Sequence, residues 1–184
     1  MVKLSGAGLD RWLGAPDGKH RAVLFYGPNE GLVRDRARAV VAKMSGGNLD
    51  DPFGVFVCDQ SVRGSNPAAL IDETFSISMM GGEKVIWVRE AADSLAADFA
   101  TVLDSGASAN FMVVEAGDLK TSSKLRKLFE ASAIAVAAGC YLDDQRSLVA
   151  LAGEHFRAAG VTIQKDALDL LVSKLGQDRL ANLA

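Results

Sequence analysis

The 184 residues are enough for one ordinary domain, or for one domain and a small appendage. With 49% apolar and 23% charged residues the chain can build a real core, which argues against disorder. A net charge of -3 argues against a domain that holds nucleic acid mainly by neutralising phosphates, while leaving room for a local basic patch.

The opening MVKLSGAGLDRWLGA lacks the apolar core of a signal peptide, and no run approaches the roughly 20 residues that a membrane helix needs. The expectation is a soluble, cytoplasmic protein with no membrane partner. Residues 21–27 read as a first strand ending in a Gly-Pro turn. A helix follows over 31–44, with Val33, Ala37, Val40, Val41 and Met44 on one face, stopped by Ser-Gly-Gly-Asn. A second strand spans 55–59. Pro67 opens a helix predicted to reach Met80 and stop at Gly81-Gly82. Strands at 84–89, 111–115 and 134–141 alternate with helices at 95–103 and 121–130.

Strands that are apolar throughout belong in a parallel sheet covered on both faces. The strict alternation therefore predicts an α/β fold, an open, doubly wound sheet with helices on both sides. After Asp143-Asp144 the pattern turns helical, at 146–158 and 167–175, with a further start at 176–178; Asp166 and Asp178 are candidate N-caps. The expected division is an α/β domain over 1–143 and the start of a small helical domain over 144–184. The final RLANLA has no stop signal, so the chain is expected to end inside its second domain. Cys58 and Cys140 each lie in strand-like runs and read as buried thiols rather than a disulfide or metal pair.

The turn after the first strand sits where a phosphate loop would sit. A working loop needs G-x-x-x-x-G-K-[ST], so that glycine amides cradle phosphate, Lys meets its charge and the hydroxyl holds Mg²⁺. Here three residues separate Gly27 from Gly31, Leu32 occupies the Lys position, Val33 the hydroxyl position, and Glu30 adds a negative charge. Gly27, Glu30, Gly31, Leu32 and Val33 thus form a degenerate loop, not expected to bind nucleotide. Nor does the loop fit the G-x-G-x-x-G of dinucleotide enzymes. Glu115 ends the fourth strand as a lone acid, and His20 and His155 fall in different predicted domains. No catalytic residue, metal site or cofactor is expected. The alternative is a divergent P-loop nucleotide hydrolase or kinase with an atypical phosphate loop.

If 67–80 is one helix, steps of 100° per residue gather Ile71, Phe75 and Ser78 on one side and Asp72, Glu73 and Ser76 on the other. Met80 falls on the polar side and Met79 at the edge of the core face. Two flexible, polarisable side chains there suit an adaptable binding surface, or tuck into the core if the helix ends early. Periodicity leaves both open. Arg34, Arg36 and Arg38, and again Lys120, Lys124, Arg126 and Lys127, form basic clusters that read as solvated faces or as contacts with DNA or an acidic partner.

Four stretches together resemble the delta subunit of the bacterial DNA polymerase III clamp loader: LFYGPNEGLVR from Leu24, SMMGGEKVIWVR from Ser78, VVEAGDL from Val113 and SKLRKLFE from Ser123. The resemblance covers nearly all of the chain. It implies an AAA+-like, P-loop-type first domain, a small helical second domain and a third, collar domain missing here. It also implies a subunit that does not bind ATP but contacts the β sliding clamp and springs open its ring for loading onto primed DNA. In the family the clamp-binding wedge is a pair of apolar residues after a Ser, usually Ser-Leu-Phe. It maps onto Ser78, Met79 and Met80, supported by Ile77, and favours exposed methionines. The other partners implied are the gamma/tau and delta prime subunits, through the collar and AAA+ faces, and primed DNA only within the complex. Whether Arg34, Arg38, Lys124 and Lys127 touch DNA there is left open.

Overall fold

The apolar runs assemble into a six-stranded, wholly parallel sheet in a computed structural model that describes residues 3–4, 7–16, 19–77, 82–106, 110–141, 149, 152–153, 156–157 and 159–174. The strands are β1 (Lys3–Leu4), β2 (Ala22–Tyr26), β3 (Val55–Cys58), β4 (Val85–Ala91), β5 (Phe111–Ala116) and β6 (Ala135–Gly139). Their order across the sheet is β1-β6-β2-β5-β4-β3. Val23 pairs with Val113 on one side and with Val136 on the other, which puts β2 at the centre. All five residues of β2 and all six of β5 are buried, as expected where both faces are covered.

Successive side chains of a strand point to opposite faces. Ala22, Leu24 and Tyr26 join Ile86, Val88, Met112 and Val114 in a core with Leu70, Phe99, Leu125 and Phe129. That face is covered by α4 (Ala69–Phe75), α5 (Ala96–Ser105) and α6 (Lys124–Ala131). Phe99 and Phe129 meet edge to face there, with ring centroids 5.3 Å apart. On the other face α2 (Glu30–Met44) lies against β2 and β5 through Leu32, Val33, Ala37, Val40 and Val41, beside α1 (Ala7–Gly14). This is the open, doubly covered α/β sheet expected from the alternation. A short α3 (Gln60–Ser65) follows β3, capped by Asp59, whose side chain accepts the Val62 N–H. β1, α1 and α3 are additional to the elements expected from the sequence.

The largest departure is α4. The helix predicted over 67–80 spans Ala69–Phe75 and ends where Ser76 turns extended. Its buried face consists of Ala69, Leu70 and Thr74, while Phe75 is 37% exposed. Thr74 is tolerated inside because its hydroxyl donates to the Leu70 carbonyl at 2.6 Å, a bond that periodicity of apolar residues does not reveal. Ser78, Met79, Met80 and Gly81 lie outside the described residues.

The chain forms two compact units, Met1–Cys140 and Tyr141–Ala184. In the second, Ala152 and Val172 are buried, with Val149, Leu168 and Leu171 against them. Its helix Lys165–Lys174 begins one residue before Asp166, which therefore lies in the first turn rather than at the cap. Asp143, Asp144, His155 and Asp178 lie outside the described residues. No helix among the described residues is long and apolar enough to cross a membrane.

Candidate functional site

The two ends of the sheet have different chemistry. At the carboxyl ends of the strands lies the turn from β2 into α2, the position of a phosphate loop. Asn29 caps α2, its Oδ1 accepting the Leu32 N–H at 3.0 Å. The Gly27 N–H donates to the Gly117 carbonyl at 3.1 Å, the Asn29 N–H to Cys140 at 3.3 Å, and the Val33 N–H to Asn29 at 3.0 Å. Pro28 has no N–H to offer. The Gly27, Asn29, Leu32 and Val33 amides are thus spent on the loop's own neighbours. The Asn29 Nδ2 is buried without a partner and closed off from any ligand.

Gly27 has φ +146, and a Cβ there would lie 2.1 Å from the Cys140 carbonyl oxygen. The glycine is required because the chain leaving β2 lies tightly beside the chain leaving β6. Leu32, in the Lys position of a working loop, is a core residue at 6% exposure, and Val33 is buried beside it.

A cleft of about 310 Å³ opens next to this loop, lined by Glu30, Val33, Arg34, Glu90, Ala91, Glu115, Ala116 and Gly117. Three carboxylates line it against one guanidinium, and Arg34 already lies 3.6 Å from Glu30. Glu115 is buried and accepts a hydrogen bond from the Trp87 indole. Burial pushes its carboxyl above the ordinary glutamate range, against the opposing pull of Trp87, Arg89 and Arg34. A phosphate would meet net negative charge here. Glu90 sits at a β-bulge with φ +54, and Arg63 holds this backbone by donating to the carbonyls of Cys58, Arg89 and Glu90. Cys58 and Cys140 are buried free thiols, each pushed up by burial. No group of three or more metal-ligating side chains occurs among the described residues.

The basic clusters divide. Arg34, Arg38, Lys124 and Lys127 are exposed. Arg126 is buried, stacked 4.8 Å over the Tyr26 ring and bonded to Glu130 and the Leu119 carbonyl. Arg36 donates to Gly139 and Cys140. Arg126 is thus an internal strut, and Arg36 is half-buried against the end of β6. Asp93 caps α6 through Ser123 and the Leu125 N–H, bonds that hold its carboxyl below the usual range.

At the opposite end, α4 passes into β4 through residues 76–84. Ile77 is 86% exposed, the barest large apolar side chain among the described residues. Its surroundings are firmly built. Asn110, 1% exposed, donates through Nδ2 to the carbonyls of Glu73 at 2.9 Å, Thr74 at 3.2 Å and Ser76 at 2.9 Å. Its Oδ1 accepts the Lys84 N–H at 3.0 Å. Lys84 Nζ in turn lies 2.8 Å from Glu73, and Arg21 pairs with Glu83. Sequence reasoning missed Asn110, Lys84 and Glu73, and a polar residue just before a strand gave no signal of three carbonyls waiting for it.

With this geometry in place, likeness to known proteins is informative. No family model matches the chain. The chain is 24% identical over 161 residues to a Rickettsia prowazekii protein described as probable DNA polymerase III subunit delta, covering 88% of this chain and 47% of that one. It superposes on the Bacillus subtilis DNA clamp loader delta protein with a TM-score of 0.72 at 15% identity, over 95% of this chain and 53% of that one. Both likenesses are to delta proteins. The chain spans about half the length of each. The shared fold is the open parallel sheet with helices on both faces.

Proposed function

We propose that the chain is a non-catalytic clamp-loader subunit of the delta type, which binds the β sliding clamp and opens its ring for loading onto primed DNA in replication. The observation that carries this reading is Ile77, an apolar side chain held almost fully in solvent on a braced connection. The likeness to delta proteins along most of the chain supports it. Ile77, Ser78, Met79 and Met80 form the clamp-binding wedge. The gamma/tau and delta prime subunits are the other partners, and DNA is met only within the cytoplasmic complex, where Arg34, Arg38, Lys124 and Lys127 are available to it.

Burying Ile77, Met79 and Met80 contributes about 1.5–3 kcal/mol each. Micromolar affinity needs about 8 kcal/mol net after association costs, so the wedge is the hot spot within a wider interface. Ring opening without nucleotide chemistry on this subunit comes from preferring the open clamp, since equal affinity for both states shifts nothing. The degenerate loop, with Leu32 and Val33 in place of the Lys and hydroxyl, its Gly27 and Asn29 amides engaged and carboxylates beside it, supports a subunit that does not hydrolyse nucleotide.

The test is calorimetric titration of the cognate clamp with the wild-type chain and with a Met79→Ala/Met80→Ala variant of unchanged fold. Binding that disappears in the variant supports the wedge; no binding by the wild type overturns the reading.

A further inference from the structure

We propose that Asn110 is a positioning residue for the docking of Ile77, one that fixes the direction in which this side chain leaves the sheet. The inference rests on the clamp-docking reading and adds to it a residue that touches no partner.

The last carbonyls of a helix have no acceptor role inside it and need donors from elsewhere. Here the Ser76 N–H and hydroxyl donate to the Glu73 carbonyl, and the Asn110 amide group shares its two N–H bonds among the carbonyls of Glu73, Thr74 and Ser76. The same side chain takes the Lys84 N–H on its oxygen. Asn110 therefore grips both roots of the 76–84 connection from one point at the start of β5, itself a central strand. Ile77 follows directly after the third of these carbonyls. The Lys84–Glu73 ion pair and the Ser76 hydroxyl close the same ring of contacts on the outer side.

A buried amide satisfied on both its atoms is costly to alter and locks a backbone direction. Without it, Ile77 samples orientations of which a fraction fits the partner, and apparent affinity falls by that fraction. The amide nitrogen is the essential atom, because its position among three carbonyls accepts only a donor.

Asn110→Asp keeps size and the acceptor for Lys84 while turning a negative oxygen towards the three carbonyls. The expected result is clamp binding weaker by about tenfold at a temperature where tryptophan fluorescence reports a folded chain, with faster hydrogen exchange at Ile77 and Lys84. Phe129→Leu, on the buried face of α6, serves as the control for general destabilisation and should leave affinity unchanged at a matched loss of thermal stability. If Asn110→Asp does not fold, Asn110→Ser is read in the same way. Unchanged affinity in the Asn110 variant, or equal weakening in the Phe129 control, overturns the proposal. An Ile77→Ser variant separates the two levels. If Ile77→Ser loses binding while Asn110→Asp does not, the positioning role alone fails; if Ile77→Ser binds as wild type, the docking assignment fails and the positioning role with it.

Discussion

Replacing Gly27 by Ala tests whether this glycine serves the close approach of two strand ends or a phosphate. The residue has φ +146, a region essentially reserved for glycine, where another residue costs about 1–3 kcal/mol. The added methyl would also lie 2.1 Å from the Cys140 carbonyl oxygen and 2.8 Å from its carbon, so backbone and not a pliant side chain must move. Overpacking of that kind costs about 1–3 kcal/mol. The displaced carbonyl also accepts the Asn29 N–H, a bond worth about 0.5–1.5 kcal/mol. Together the loss is on the order of 2.5–7.5 kcal/mol, which for a chain of this length lowers Tm by about 5–30 °C. Trp12 and Trp87, the only two tryptophans, both lie in the first unit, so their fluorescence reports its melting. Gly64 provides the contrast: it sits in α3 with nothing within 4 Å of an added Cβ. Gly64→Ala should raise stability by about 0.5–1 kcal/mol. A Gly27→Ala variant that melts within 2–3 °C of wild type, on the scale of about 2–4 °C per kcal/mol, would refute the close-approach argument.

Other expectations concern the cleft and the bulge beside it. The raised Glu115 pKa means that its stabilising, protonated form is fully present below the ordinary glutamate pKa and is lost as pH rises through the folded value. Glu115→Gln should therefore melt like wild type in acid and above it at neutral pH, and a thermal series across pH checks this. Arg63→Ala removes donors to three carbonyls around Glu90 and should cost about 1.5–3 kcal/mol in denaturant titration. Arg63→Lys should recover little, since one ammonium cannot reproduce the planar fork. ATP with Mg²⁺ should leave Tm unchanged, whereas a true ligand at a hundredfold excess over its Kd would add about 2.7 kcal/mol.

The sheet was legible in the sequence because its strands are apolar on both faces, a signal carried by the strand residues themselves. Val23 and Phe25, like Leu24, are buried because neighbours cover both sides. The second helix was equally plain, its buried face following the 3.6-residue period from Val33 to Val41. The end of α4 was hidden for the opposite reason. It is set by Asn110, 34 residues beyond Ser76, and by a Thr74 hydroxyl that satisfies itself in the core. Arg126 misled in the same way. A basic residue in a run of basic residues suggests solvent, yet it lies over Tyr26 and against Glu130. At the degenerate loop the missing Lys and hydroxyl were readable one letter at a time. That the Gly27 and Asn29 amides are engaged depends on Gly117 and Cys140, which only the folded sheet brings near.

Strand β4 begins next to Lys84, one root of the Ile77 connection, and ends at the Glu90 bulge beside the cleft. Its seven residues span about 20 Å, so no side chain reaches from one end to the other. The two ends are therefore independent under mutation. Residues around Leu32 and Val33 can drift away from phosphate chemistry with no effect on the opposite rim, and the rim can be retuned without disturbing them. A scaffold first suited to one task can in this way abandon it piecemeal while another is refined, provided that the strands between remain apolar.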